Sequence, residues 1–175
     1  MPITDVTVRF LEMTSAAELR PRRSSLAGVT VARVPEPFPE LNRFFYTTVG
    51  AKYFWTDRLG WTLEQWREWA GQPGLDTYVM AVNGIPAGYF ELLAHANGDV
   101  EIKYFGLIGA FIGQGLGAHM LTAAAEAACA SGAKRVILDT CSLDHPTAYD
   151  NYVARGFRLY RTDVVRKELP GRTPQ

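Results

Sequence analysis

Phe111-Ile112-Gly113-Gln114-Gly115-Leu116-Gly117-Ala118 is the stretch on which the reading of this chain turns. It follows an alternating, strand-like run from Val100 to Leu107. It opens an Ala-rich run, from about Gly115 to Ser131, that reads as one long helix stopped by Gly132. Glycines at a helix start leave main-chain N–H groups uncrowded by a Cβ. First-turn amides have no partner within the helix, and the helix dipole puts partial positive charge there. Together these predict a site for a phosphate or pyrophosphate. The competing explanation is a tight turn that lets a small-residue helix pack closely on a sheet.

No Gly-Lys-Ser/Thr follows, which excludes a P-loop. Gly113-x-Gly115-x-x-Ala118 also satisfies a dinucleotide-binding turn, with Asp139 near where a ribose-binding acid would lie. Two features oppose that reading. Glu101 and Lys103 make the preceding strand half exposed, and only one helix and one strand follow Asp139.

Outward from the loop, the chain reads as a mixed α+β order. Upstream, Thr77–Val82 and Ile85–Leu93 are strands joined by the Asn83-Gly84 hairpin turn, and Ala96–Asp99 makes the next turn, giving an antiparallel meander. Downstream, Arg135–Cys141 reads as a buried strand, His145-Pro146 opens a helix through Arg155, and a last strand starts at Phe157. A strand–helix–strand unit in one sheet implies a parallel pair with a right-handed crossover. Near the start, Val6–Met13 and Val29–Val34 read as strands. Ser15–Glu18 reads as a capping box opening a short helix that Pro21 ends. Glu40–Val49 is predicted helical, and Thr62–Gln65 is a second capping box, for a helix through Trp69.

Composition narrows the function classes. The 175 residues are 47% hydrophobic and 21% charged, which excludes disordered, collagen-like and coiled-coil chains. Eighteen basic residues balance eighteen acidic ones, so no nucleic-acid partner is expected. Cys129 and Cys141 read as buried thiols of a reducing compartment. No apolar run approaches a membrane span and no leader precedes Val6, so a cytoplasmic location without membrane association is expected. His95, His119 and His145 lack metal-ligand spacing, and no metal is expected. Ten of the 21 aromatic residues, including all four tryptophans, fall between Phe38 and Trp69, which marks a region that is part core and part pocket wall.

The run from Glu101 through Ala118 resembles the central motif of the GNAT N-acetyltransferase superfamily, and Ala148-x-x-x-Tyr152-x-x-x-Gly156-Phe157 resembles its later helix and strand. Together they cover about Thr77 to Tyr160. Three positions depart from the family pattern: Ile112 replaces the usual Arg or Gln, Gly109 a proline and Asp144 an asparagine. Loss of the side chain at 112 spares the backbone donors, so cofactor binding is expected to be retuned rather than lost.

The resemblance implies one GNAT-like domain over residues 1–169, with a mostly antiparallel mixed sheet splayed at one point and flanked by helices. Residues 38–70 would form the acceptor region, 77–160 the acyl-CoA core and 170–175 a tail. It implies acetyl-CoA as co-substrate. The backbone of Phe105 and Leu107 would hold pantetheine, as a peptide augments a sheet edge. Ile112, Gly113, Gln114, Gly115, Gly117 and Ala118 would hold the pyrophosphate, with Asp144 and Tyr152 nearby, and Gly106 would ease the splay or mark a bulge. Glu101, or Glu91 on the neighbouring strand, would take the proton from the amine, and Tyr152 would protonate the leaving thiolate. Phe45, Tyr53, Trp55 and Trp66 are the expected acceptor-binding residues, for a small-molecule or peptide amine. A homodimer is compatible with this reading. A non-catalytic acyl-CoA or nucleotide sensor of the same fold is the alternative function.

Overall fold

The strand before the glycine loop leans on a partner for only three residues. In the computed structural model, which describes residues 3–169, β5 (Asp99–Leu107) pairs in parallel with β6 (Arg135–Cys141) through Asp99–Arg135, Val100–Val136 and Glu101–Ile137, and no further. The crossover between them is α3 (Leu116–Ala130). Every other pairing in the seven-stranded sheet is antiparallel. A single parallel pair cannot make a doubly wound sheet, so the dinucleotide-binding alternative falls.

The meander is β2 (Val29–Arg33), β3 (Leu75–Val82), β4 (Ile85–Ala94) and β5, in spatial sequence. Asn83 and Gly84 both take positive φ (50° and 79°), the geometry a two-residue hairpin needs. The other half holds an arrangement the sequence does not announce. β1 (Ile3–Met13) inserts between β6 and β7 (Arg158–Glu168), antiparallel to both. The register shift at Phe10/Leu11 places its extra residue, Tyr160, on β7, while β1 alternates unbroken against β6, so Val6 is buried on one face and Leu11 and Met13 on the other.

Before β3, the chain folds as α1 (Pro39–Gly50) and α2 (Leu63–Ala70). The Thr62–Gln65 capping box forms in both directions, with the Thr62 side chain accepting from Gln65 N and the Gln65 side chain accepting from Thr62 N. The Ser15 segment makes only a three-residue 3-10 turn, Ala16–Glu18, because Glu18 accepts from Thr14 N at 2.8 Å instead of closing a box on Ser15. The helix expected from His145 is shorter, α4 (Ala148–Ala154), since the Asp144 carboxylate accepts from Cys141 N and Thr140 Oγ1 and holds the preceding residues in a turn.

Two cores flank the sheet. Ala124, Ala125 and Ala128 of α3 are fully buried against Phe90, Ile102, Val136 and Leu138, the close helix–sheet approach that small residues permit. On the opposite face, α1 lays Phe45 and Val49 on Tyr89. Among the described residues, the helices on that face, α1 and α2, lie against β3, β4 and β5, and none lies over β6, β1 and β7. The expected tail, 170–175, lies outside the described residues.

Candidate active site

Where β5 and β6 part, the sheet opens into a cavity of about 850 Å3. On β5 the parting coincides with a bulge: Tyr104 and Phe105 together face Phe90, since Tyr89 pairs with Gly106 and Glu91 with Lys103. Tyr104 takes φ 46°, an uncommon conformation for a bulky side chain. The bulge therefore falls at Tyr104/Phe105 and not at Gly106. Gly106 has a different duty, because a Cβ there would collide with Val49 Cγ1 of α1. Beyond Glu101, the β5 edge toward β6 has no strand against it, which leaves main-chain donors and acceptors for a ligand.

The glycine loop closes one end of the cavity. Gly113 and Gly115 take φ 84° and 74°, and a Cβ on either would meet no atom within 4 Å, so both backbones face open space. Gly115 is the N-cap of α3 and supplies no side-chain cap. Among the described residues, the amides of Gly113, Gln114 and Gly115 donate to no protein acceptor. Arg22 and Arg155 also line the cavity. Neither has a carboxylate partner among the described residues. Burial, and then the like charge of Arg22, lowers the Arg155 pKa. Uncapped amides beside two guanidiniums form an anion cradle. The Arg20-Pro21-Arg22-Arg23 run is the sequence signal for the Arg22 side of this cradle, which the glycine spacing alone does not show.

Most of the expected cofactor residues gather here: Phe105, Leu107, Ile112, Gly113, Gly115, Gly117, Ala118, Asp144 and Tyr152 all line the cavity. Gln114 does not, as its Nε2 turns back to donate to Ala110 O at 3.0 Å. Tyr152 is buried against Phe105 and Phe157, and its hydroxyl has no hydrogen-bond partner among the described residues. Burial, reinforced by Asp144 and Asp139, pushes its pKa far up, which keeps the proton on the oxygen.

The expected acceptor and base residues divide. Tyr53 and Trp55 line the cavity, joined by Tyr46, Phe54, Asp57 and Tyr104. Phe45 and Trp66 do not reach it. They are fully buried, Phe45 stacked on Tyr89 and Trp66 edge-on to Tyr46, so packing claims them. Glu91 is also sealed, accepting from Asn42 Nδ2 at 2.7 Å and Trp69 Nε1 at 2.8 Å, with its pKa raised by burial. Glu101 sits outside the main cavity, held by Lys103 Nζ at 2.6 Å and His95 Nε2 at 2.9 Å, in a second cavity of about 390 Å3. Asp139 lines both cavities.

Residues 36–157 match the Acetyltransferase (GNAT) family, well over half of the chain, and the protein belongs to that family. No protein of curated function matches the sequence. Among solved structures, a GCN5-related N-acetyltransferase from Kribbella flavida superposes at TM-score 0.64 and 22% identity, covering 97% of this chain and 60% of that one. A GCN5-related N-acetyltransferase from Sphaerobacter thermophilus gives TM-score 0.70 at 19% identity, over 95% of this chain and 53% of that one. An aminoglycoside acetyltransferase from an uncultured soil metagenomic sample, in complex with sisomicin, gives TM-score 0.57 at 15% identity, over 73% and 86% of the two chains. The chain thus spans about half to two thirds of the length of the first two, and at these identities the likeness is one of fold.

Proposed function

We propose that the chain is an N-acetyltransferase that moves the acetyl group of acetyl-CoA directly onto a primary amine of a small molecule or peptide. The observation that carries this reading is the set of unsatisfied donors at one end of the sheet opening: the uncapped amides of Gly113, Gln114 and Gly115 beside Arg22 and Arg155. These three residues are exposed, so their amides are free to exchange water for a diphosphate, and hydrogen bonds to an anion are stronger than those to neutral acceptors. The unpaired β5 edge from Phe105 to Leu107 offers backbone partners for the amide-bearing arm of coenzyme A.

At the far end, Tyr46, Tyr53, Trp55 and Tyr104 form an aromatic wall with Asp57 beside it. That chemistry suits an amine with a flat or apolar body and a single positive charge. Tyr152 keeps its proton at neutral pH and stands in the cavity, where it serves as the donor to the departing sulfur.

The test is release of free thiol from acetyl-CoA in the presence of a panel of amines, with acetyl-CoA, coenzyme A and NAD also compared for their effect on thermal stability. Amine-dependent thiol release with stabilisation by coenzyme A alone is the expected result. Stabilisation by coenzyme A without thiol release on any amine would mark a sensor of acyl-CoA instead.

A further inference from the structure

The two carboxylates that the sequence offers as bases are both committed elsewhere. Glu101 is tied to Lys103 and His95, and Glu91 is enclosed by Asn42 and Trp69. Of the acids that line the main cavity, Asp144 caps the turn after β6, while Asp57 and Asp150 lie exposed on the α1–α2 loop and on α4. Asp139 is exposed too, and its carboxylate, like those of Asp57 and Asp150, has no hydrogen bond or ion pair among the described residues. It differs from them in place: it is the one described residue that lines both cavities.

Its position follows from strand register. Ile137 is the last β6 residue paired with β5, opposite Glu101. Two residues on, Asp139 comes level with Lys103, past the end of the ladder and at the apex of the opening. Strand alternation puts it on the same face as Ile137 and away from the α3 core, which takes Val136 and Leu138. That is the face with no helix over β6, β1 and β7.

We propose that Asp139 is the general base of the transfer, acting on an amine held in the main cavity, with the second cavity as the route by which its proton leaves. The proposal rests on the transferase reading above. The Asp139 carboxylate takes one proton from the ammonium. The freed lone pair forms the C–N bond at the thioester carbonyl carbon, and the C–S bond breaks. The second amine proton reaches the sulfur through the Tyr152 hydroxyl, and Asp139 returns its own proton to solvent through the second cavity. Amide, free thiol and one proton are the products.

The charged groups around Asp139 fit this task. Lys103 and Glu101 face it from β5, Asp144 from the turn after β6 and Lys167 from β7. Arg161 of β7 shares the second cavity but stacks on Phe10 at 3.8 Å. From β1, Phe10 is the residue opposite Asp139 and brings no charge. Burial by the surrounding protein raises the Asp139 pKa although the residue lies at the open cleft, Lys103 and Lys167 oppose the rise, and Glu101 and Asp144 add to it. A base moved toward neutrality is better matched to proton transfer.

The experiment compares the full chain with Asp139→Asn, a near-isosteric change, measuring thiol release against pH at saturating acetyl-CoA. Coenzyme A affinity is measured in parallel by calorimetry. The expected loss in kcat is about 100-fold near neutral pH, with coenzyme A affinity unchanged. The loss should shrink as pH approaches the pKa of the amine, about 10 for an alkylamine, because the amine then sheds its own proton. A weakly basic aromatic amine should likewise be acetylated by Asp139→Asn with little loss. An active wild type with an equal loss for both amine classes at every pH, or with no loss, overturns the assignment. So does the same pH signature from Glu101→Gln in place of Asp139→Asn. A wild type that binds coenzyme A but releases no thiol with any amine overturns the transferase reading, and this assignment with it.

Discussion

Alanine at Gly115, set against alanine at Gly132, separates ligand binding from backbone strain at the anion cradle. Gly115 opens α3 at φ 74°, and Gly132 follows its other end at φ 88°. A Cβ at either position meets no atom within 4 Å, so neither substitution carries a steric clash. What remains is the cost of holding alanine in the left-handed region, about 1–2 kcal/mol in each case. For a chain of this size each kcal/mol lowers Tm by about 2–4 °C, so the two ligand-free variants should melt a few degrees below wild type and close to each other.

They should part on adding coenzyme A. The Cβ at position 115 projects into the open space where the loop amides point, while position 132 lies at the other end of the helix. Displacing one charge-assisted hydrogen bond costs about 1.5–3 kcal/mol, equivalent to about tenfold or more in Kd. With ligand at about 100 times the wild-type Kd, wild type and Gly132→Ala gain about 2.7 kcal/mol. A tenfold weaker Gly115→Ala gains only about 1.4 kcal/mol, so its ligand-induced rise in Tm falls by half. Differential scanning fluorimetry reads all three proteins, and calorimetry checks the Kd. Equal ligand-induced shifts in the two variants would refute the claim that the loop amides grip the diphosphate.

Three further outcomes follow from the same structure. Arg155→Gln and Arg22→Gln should each weaken coenzyme A by about tenfold, an effect that added salt reduces. Arg22→Gln should leave ligand-free stability unchanged or slightly higher because a like-charge pair is relieved, whereas Arg155→Gln should lower it by about 1 kcal/mol because the Arg155 guanidinium donates to Arg20 O at 2.9 Å; titration calorimetry at two ionic strengths measures the binding and thermal melts the stability. Arg58 is buried with its guanidinium 3.6 Å from the Trp69 ring, 4.3 Å from Trp61 and 4.4 Å from Tyr104, so Arg58→Ala should cost about 3 kcal/mol and Arg58→Met about 1 kcal/mol in urea unfolding, with a shift in tryptophan emission. Glu91 has a pKa raised by burial, so the folded chain keeps this proton longer than the unfolded one. Its contribution to stability is therefore fullest below the ordinary carboxylate range and is lost as pH rises from there through the folded pKa; Glu91→Gln should flatten this part of the stability–pH curve, as measured by urea titrations across it.

The anion loop, the long α3, the meander, the local parallel pair and the Tyr152 helix could all be read along the chain. Each is written in contiguous residues: glycine spacing, period-2 alternation and hairpin dipeptides are local signals, and local backbone preferences answer to them. The acceptor wall was only half legible. Phe45, Tyr53, Trp55 and Trp66 are alike as residues, and nothing in composition says which side chain turns into a core and which onto a cavity.

The base proposed above, Asp139, is not legible along the chain. Glu101 and Glu91 look like free strand carboxylates until Lys103 and His95 meet the first, and Asn42 and Trp69 the second, the last two from helices far away in the sequence. Asp139 gains its place only because the β5–β6 ladder stops after Glu101–Ile137 and two cavities meet there. Likewise, strand β1 lies between β6 and β7 because a half-buried edge can be satisfied by any chain segment of matching register, and sequence order does not choose among them. The chain alone determined which segments become helix or strand and where main-chain amides are left uncapped. The packed sheet decided which carboxylate stays unpaired and which aromatic rings face the cleft, since pairing and burial are properties of residues brought together from a distance.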